Sequence, residues 1–242
     1  MHSFYIEPPV DNIAALPAEE AKHALKVLRL RPGDELCAMD GVSRRWRGEI
    51  ERIDGPSVIV RLLETLSDNE APVRVTVYEG LPKADKLDFI AQKLTELGAA
   101  ALIPMRMERC VVKLDRKDGA KRQERLSKIA REAAKQCRRA RPLEVSAPMD
   151  WTDALEAMEA HDLLLIPWEE ASGVRLSDMR ARFPEARDIG IVIGPEGGIS
   201  EEEVRQMIAV GGRAVSLGPR ILRTETAAVI SAALAMQLWG DI

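Results

Sequence analysis

The chain has 242 residues, 46% hydrophobic and 31% charged, enough to bury one large core or two modest ones. A formal net charge of −4 excludes a uniformly basic nucleic-acid binder, and apolar runs broken by charges exclude a membrane-spanning helix. Three scattered cysteines (Cys37, Cys110, Cys137) and three scattered histidines (His2, His23, His161) give neither a disulfide framework nor zinc-ligand spacing, so no metal is expected.

The N-terminal residues Met1 to Pro8 lack the basic and apolar regions of a secretory leader, which makes a cytoplasmic location the expectation. Residues 1–70 read as a small β-rich domain. Pro17 suits a first helical position and Glu19-Glu20 favours the positive end of the helix dipole, predicting a helix over 17–28. Arg31-Pro32-Gly33-Asp34 is a turn; strands follow over 35–39, 45–53 and 57–63, divided by Asp40-Gly41 and Asp54-Gly55-Pro56. Short strands with such turns suggest a small barrel or meander.

Asp68-Asn69-Glu70-Ala71-Pro72 is the candidate linker, and over 73–242 strands alternate with helices. Strands are expected over 73–78, 101–104, 162–166, 189–193 and 214–217, and helices over 86–97, 121–139 and 227–238. That alternation implies an α/β domain with a mostly parallel sheet covered on both faces.

The segment from Lys113 to Arg141 carries twelve basic and four acidic residues, a net +8 that leaves −12 for the rest of the chain. Arg131, Lys135 and Arg138 recur along one helical face. Such polarisation reads either as a solvated helix or as a phosphate-binding face, and the shortage of acidic partners favours the second. Aromatic residues are only 4% of the chain, so a base-stacking platform is not indicated. His23 in its helical stretch reads as structural.

Two loops near the C-terminus carry the most chemistry. Ile193-Gly194-Pro195-Glu196-Gly197-Gly198-Ile199-Ser200 leads into Glu201-Glu202-Glu203, a capping box opening a helix. Leu217-Gly218-Pro219-Arg220-Ile221-Leu222-Arg223-Thr224 follows the next strand, with Thr224 placed to cap an unusually apolar helix. Both are strand-end loops, where open α/β sheets put ligands. The first has neither P-loop nor G-x-G-x-x-G spacing, and alone it reads equally as a tight connection. In the second, Arg220 and Arg223 read as anion or RNA contacts or as surface ion pairs.

With both loops in hand, the chain resembles the SPOUT class of S-adenosylmethionine-dependent RNA methyltransferases, and more closely the bacterial 16S rRNA uridine-N3 methyltransferase family. The resemblance spans nearly the whole length. It runs through His23 to Arg29, Lys83-Ala84-Asp85-Lys86, Gln92 to Gly98, Glu108-Arg109-Cys110 and Glu132 to Arg139, and ends in the two loops. It implies a PUA-like β-barrel over 1–70 that binds RNA, and a cofactor-binding SPOUT domain over 73–242 with a deep trefoil knot. It also implies a homodimer acting on 16S rRNA of the small ribosomal subunit.

Carried over residue by residue, the resemblance assigns S-adenosylmethionine to two walls and a closing strand end. The walls are Ile193, Gly194, Glu196, Gly197 and Gly198 on one side, and Leu217, Gly218, Ile221, Leu222, Arg223 and Thr226 on the other. Leu165, Ile166 and Pro167 close the pocket, with Trp168 next to them. Arg223 and Arg220 are the candidate catalytic groups, and Glu196 and Glu225 the carboxylates nearest to hand. The candidate RNA contacts are Arg29, Lys86, Arg109, Arg131, Lys135, Arg138 and Arg139. Three other readings stay open: a non-catalytic RNA-binding or ribosome-assembly protein, a methyltransferase for another RNA position, and an enzyme using a different adenine-containing ligand.

Overall fold

The computed structural model describes residues 1–112, 114–171 and 173–242, so Lys113 of the basic segment lies outside the described residues. The chain packs as two units, Met1–Glu70 with Arg131–Pro142, and Ala71–Ala130 with Leu143–Ile242.

The first unit is a five-stranded sheet of β1 (His2–Tyr5), β2 (Ile13–Ala15), β3 (Glu35–Met39), β4 (Arg45–Asp54) and β5 (Ser57–Leu66). The order is β1-β3-β4-β5-β2, with β1 parallel to β3 and the other pairs antiparallel. Gly41 (φ +77°) and Gly55 (φ +59°) make the turns that the sequence marks. Beyond β1, the Glu7 N–H donates to Ala15 O at 2.9 Å, tying the chain to β2. Helix α1 (Ala18–Lys22) passes into a π-helical turn, His23–Val27. Phe4, Leu36, Ile50, Val58 and Val60 form the core.

The second unit is built on six strands, all parallel: β6 (Arg74–Gly80), β7 (Ala101–Met105), β8 (Glu144–Val145), β9 (Leu163–Pro167), β10 (Asp188–Ile193) and β11 (Arg213–Val215). Their order is β11-β9-β10-β6-β7-β8. The helices are α2 (Lys86–Glu96), α3 (Arg116–Cys137), α4 (Trp151–Glu159), α5 (Leu176–Arg182), α6 (Glu201–Ala209) and α7 (Thr224–Trp239). Strand alternation sorts the core. Val75, Val77, Leu165, Ile189 and Ile191 pack on the side of α2 and α7. Tyr78, Leu164, Ile166 and Val192 pack with Ala154 and Met158 of α4 and Val204 and Met207 of α6. Both faces are therefore apolar, as a parallel sheet requires. Helices α4 and α5 and strands β1, β2 and β8 are short, and they fall outside the elements expected from the sequence.

Helix α3 is divided between the units, its residues from Arg131 packing with the first. There Ala134 joins Tyr5, Cys37 and Met39 in an apolar cluster, and the Arg131 guanidinium lies 4.4 Å from the Tyr5 ring centroid.

Candidate functional site

Strand order explains where the loops meet. β10 lies between β9 and β6, with β11 outside β9, so the loops after β9, β10 and β11 leave the carboxyl ends of three neighbouring parallel strands together. After β10, Gly198 N–H donates to Pro195 O at 2.9 Å, closing a turn with Gly198 at φ +75°. The φ of Gly198 favours glycine, and a Cβ there would stand 2.8 Å from the exposed Glu169 carboxylate, which would have to move aside. Ser200 then caps α6 in a capping box with Glu203. The buried Glu203 carboxylate accepts Ser200 N–H at 2.9 Å and Glu108 N–H at 2.8 Å, which anchors the loop.

The loop after β11 turns at Gly218, whose φ of +110° excludes an ordinary side chain and which faces open space. Arg223 occupies the N-cap position of α7, and Thr224 is its first helical residue. The Thr224 hydroxyl does not cap the helix as its position suggested; it lies 2.7 Å from Gly194 O and 2.5 Å from Glu79 Oε1. One side chain thus ties the start of α7 to the loop after β10.

Between the loops is a cavity of about 520 Å³, with Ile193, Gly194, Glu196, Gly197 and Gly198 on one wall and Ile221, Leu222 and Arg223 on another. Pro167 closes it. It adjoins a space of about 380 Å³ beside Gly218, Pro219 and Arg220, and one of about 80 Å³ beside Trp168 and Leu217. Glu169 and Ile221 line all three, and Ile221 is 88% exposed, an apolar side chain displayed to solvent at the mouth. Arg220 and Arg223 are exposed, and among the described residues no carboxylate lies within ion-pair distance of either.

Lys86 also lines the cavity. Its ammonium lies 2.9 Å from Glu196 and 3.1 Å from Glu225, and Glu196 further accepts Lys83 N–H at 3.0 Å. Partial burial works against the charges of Glu196 and Glu225, but hydrogen bonds from Lys86 and from main-chain N–H groups outweigh it and hold both carboxyls below their ordinary range.

Several expected residues stand elsewhere. Leu165 and Ile166 are buried in β9, on its opposite faces, and support the cavity from behind. Thr226 is exposed on α7 and does not line the cavity. Of the candidate RNA contacts, Arg29 and Arg138 are exposed in left-handed backbone, and Arg131 is exposed over Tyr5. Lys135, with its side chain 11% exposed, pairs with Glu20 at 3.0 Å. Arg139, 4% exposed, pairs with Glu70 at 2.7 Å. Arg109 donates to Gly197 O at 3.2 Å and braces the glycine loop. Glu79 and Glu169 stand outside the loops that the sequence marks, and Pro195, Ile199 and Ala227 stand in or directly after those loops but outside the assigned walls. Glu79 carried a signal of its own, an acid continuing the apolar row Val75, Val77 of a buried strand.

The family of RNA methyltransferase domains matches residues 69–236, and that of RNA methyltransferase PUA domains matches residues 16–63. The ribosomal RNA small subunit methyltransferase E of Bacillus subtilis is 37% identical over 239 residues, covering 94% of this chain and 93% of its own. The chain belongs to this family of ribosomal RNA small subunit methyltransferases E. A second member, from Mycobacterium tuberculosis, is 35% identical over 94% of this chain and 88% of its own. The family member from Neisseria gonorrhoeae, solved bound to S-adenosyl methionine, superposes with a TM-score of 0.89 at 32% identity, covering 100% of this chain and 99% of its own. The chain accordingly carries a PUA-like domain matched over 16–63 and an RNA methyltransferase domain matched over 69–236. Among the described residues no cluster of metal-ligating side chains forms, and no helix is long and apolar enough to cross a membrane.

Proposed function

We propose that this chain transfers a methyl group from S-adenosylmethionine to N3 of a uridine in the 16S rRNA of the small ribosomal subunit. The observation that carries this reading is the pair of glycine-bearing loops walling one cavity, in a fold shared with a relative solved bound to S-adenosyl methionine. The cavity fits the cofactor. Its volume suits a ligand of that size, Ile221 and Leu222 offer apolar surface, and Gly218 leaves main chain bare beside open space. When bound, S-adenosylmethionine supplies an electrophilic methyl group.

The chain's own task is to prepare uridine N3, whose imide proton passes to solvent water as the N3–H bond gives way to the new N3–methyl bond. Arg223 and Arg220, exposed at the mouth and free of ion pairs among the described residues, supply a positive field for the anion that forms. Glu196 and Glu225, held low by Lys86, are not tuned to take that proton, because a general base works best with a pKa near the operating pH. The phosphate contacts of this reading are Arg29, Arg131 and Arg138; Lys135, Arg139 and Lys86 are engaged in ion pairs and Arg109 in a hydrogen bond to Gly197 O.

The same reading includes a PUA-like barrel, supported by the Glu7–Ala15 hydrogen bond between the chain after β1 and β2. It includes a trefoil knot, supported by the insertion of β10 between β9 and β6 and the return of Leu222 to Thr224 across Gly194. A functional division into 1–70 and 73–242, a cytoplasmic location and a homodimer complete it. The apolar helix α7 leaves Ile230 41% exposed, beside α2 with Phe89 47% exposed, which supports dimerisation. The test is incubation with S-adenosylmethionine and small subunits from cells lacking the enzyme, followed by nucleoside mass spectrometry. New 3-methyluridine is the expected product; another methylated nucleoside would keep the cofactor and overturn the substrate.

A further inference from the structure

Glu79 follows Val75 and Val77 along β6 and shares their face, yet it is an acid with no solvent exposure at all. Its surroundings limit its protonation state. Glu79 Oε1 and Gly194 O lie 2.5 and 2.7 Å from the same Thr224 oxygen. A hydroxyl carries one proton, and a carbonyl donates none. With Glu79 ionised, two acceptors would compete for that proton, leaving one short oxygen–oxygen contact with no hydrogen in it. With Glu79 protonated, its O–H donates to Thr224, and Thr224 donates to Gly194 O. Both contacts are then filled. The other carboxyl oxygen, Oε2, is buried with no hydrogen-bond partner among the described residues, which suits a neutral carbonyl far better than a charged oxygen.

The charges around it agree. The charged groups that act on Glu79 are Glu196, Glu225 and Lys86. Lys86 is already shared between those two carboxylates, so a third negative charge would stand uncompensated. Burial above all, then Glu196 and Glu225, push the Glu79 carboxyl well above the usual range, and the contacts with Thr224 and Lys86 do not offset them.

We propose that Glu79 is a positioning residue, a neutral carboxylic acid whose proton locks Thr224 onto the Gly194 carbonyl and so holds the two cavity loops in one register. The proposal deepens the cofactor-site reading and rests on it for its ligand. Its consequence has a definite sign. As pH rises past the point where Glu79 ionises, the first proton of the Glu79–Thr224–Gly194 chain is lost, the loops uncouple and ligand affinity falls. Glutamine at 79 donates N–H to Thr224 at every pH, so E79Q keeps the lock and loses the pH dependence.

The experiment combines S-adenosylhomocysteine titration calorimetry across pH on the wild type, E79Q and E79A with infrared difference spectroscopy of the ligand-free proteins. The expected spectrum at neutral pH has a protonated-carboxyl stretching band in the wild type that is missing from E79Q. The expected affinities are E79Q within about threefold of the wild type and flat with pH, and E79A weaker by about tenfold, the scale of one buried hydrogen bond left unmade. Absence of the wild-type band overturns the proposal even if a variant fails to fold. So does E79Q that is folded by circular dichroism yet as weak as E79A, because the charge and not the proton would then matter. Failure of the wild type to bind S-adenosylhomocysteine strikes the cofactor reading alone; the band still decides the state of Glu79.

Discussion

The 194–200 loop and the 131–141 segment handle their charges in opposite ways. The loop keeps its one acid, Glu196, engaged with Lys86 and walls a cavity with bare main chain, while Arg220 and Arg223 stand exposed at the mouth, without ion pairs among the described residues. The 131–141 segment looks like a free cationic stripe, but Lys135 and Arg139 are turned inward onto Glu20 and Glu70. Cations of the same type thus stand exposed beside a cavity in one place and serve the fold in the other. The deciding factor is whether a carboxylate from elsewhere in the chain is waiting for them.

Breaking the inward pairs should give the largest effect. Arg139→Ala leaves the nearly buried Glu70 without its ion pair and is expected to cost about 3 kcal/mol, read as an earlier urea midpoint, because truncating one partner of a buried pair is worth that much. Arg223→Ala is the counterpart at the cavity mouth. Single-turnover methylation should slow by about 100-fold with stability unchanged, the scale of losing one preorganised charge-stabilising group. Full turnover would remove Arg223 from the catalytic account. Next is Gly218→Val, which forces a β-branched side chain into φ +110° and should weaken S-adenosylhomocysteine binding by roughly 10-fold in calorimetry.

Smaller effects sharpen the contrast. Between the ordinary glutamate value of 4.5 and the raised folded value of Glu79, the folded state keeps a proton that the unfolded chain has lost. Stability should therefore fall as pH rises through that window, by up to about 1.4 kcal/mol per pH unit from this group, and E79Q should remove that component. Smallest of all is Arg138→Ala. Its guanidinium is exposed, so stability should stay within about 0.5 kcal/mol, while the salt dependence of RNA binding should lose about one charge.

What the sequence made legible follows the same division. The glycine loops, the capping box at Ser200 and the strand alternation depend on residues a few positions apart, and they stand where local chemistry put them. The role of Lys135 depends on Glu20, 115 positions away, and that of Thr224 on Glu79, 145 positions away. No periodicity encodes such pairings. The residues carried over by resemblance fared in the same way. Gly194 to Gly198 and Ile221 to Arg223 line the cavity, because a loop exposes whatever it carries, whereas Leu165 and Ile166 lie inside a doubly covered strand that hides them. Glu79 was visible as a break in an apolar row, but its meaning required the oxygens around it.

Hydrogen–deuterium exchange with and without S-adenosylhomocysteine tests the central contrast most directly. The account predicts protection concentrated in 193–200 and 217–224, with 131–141 unchanged, and no comparable protection by ATP or NAD. Protection centred on 131–141, or equal protection by all three ligands, would contradict it.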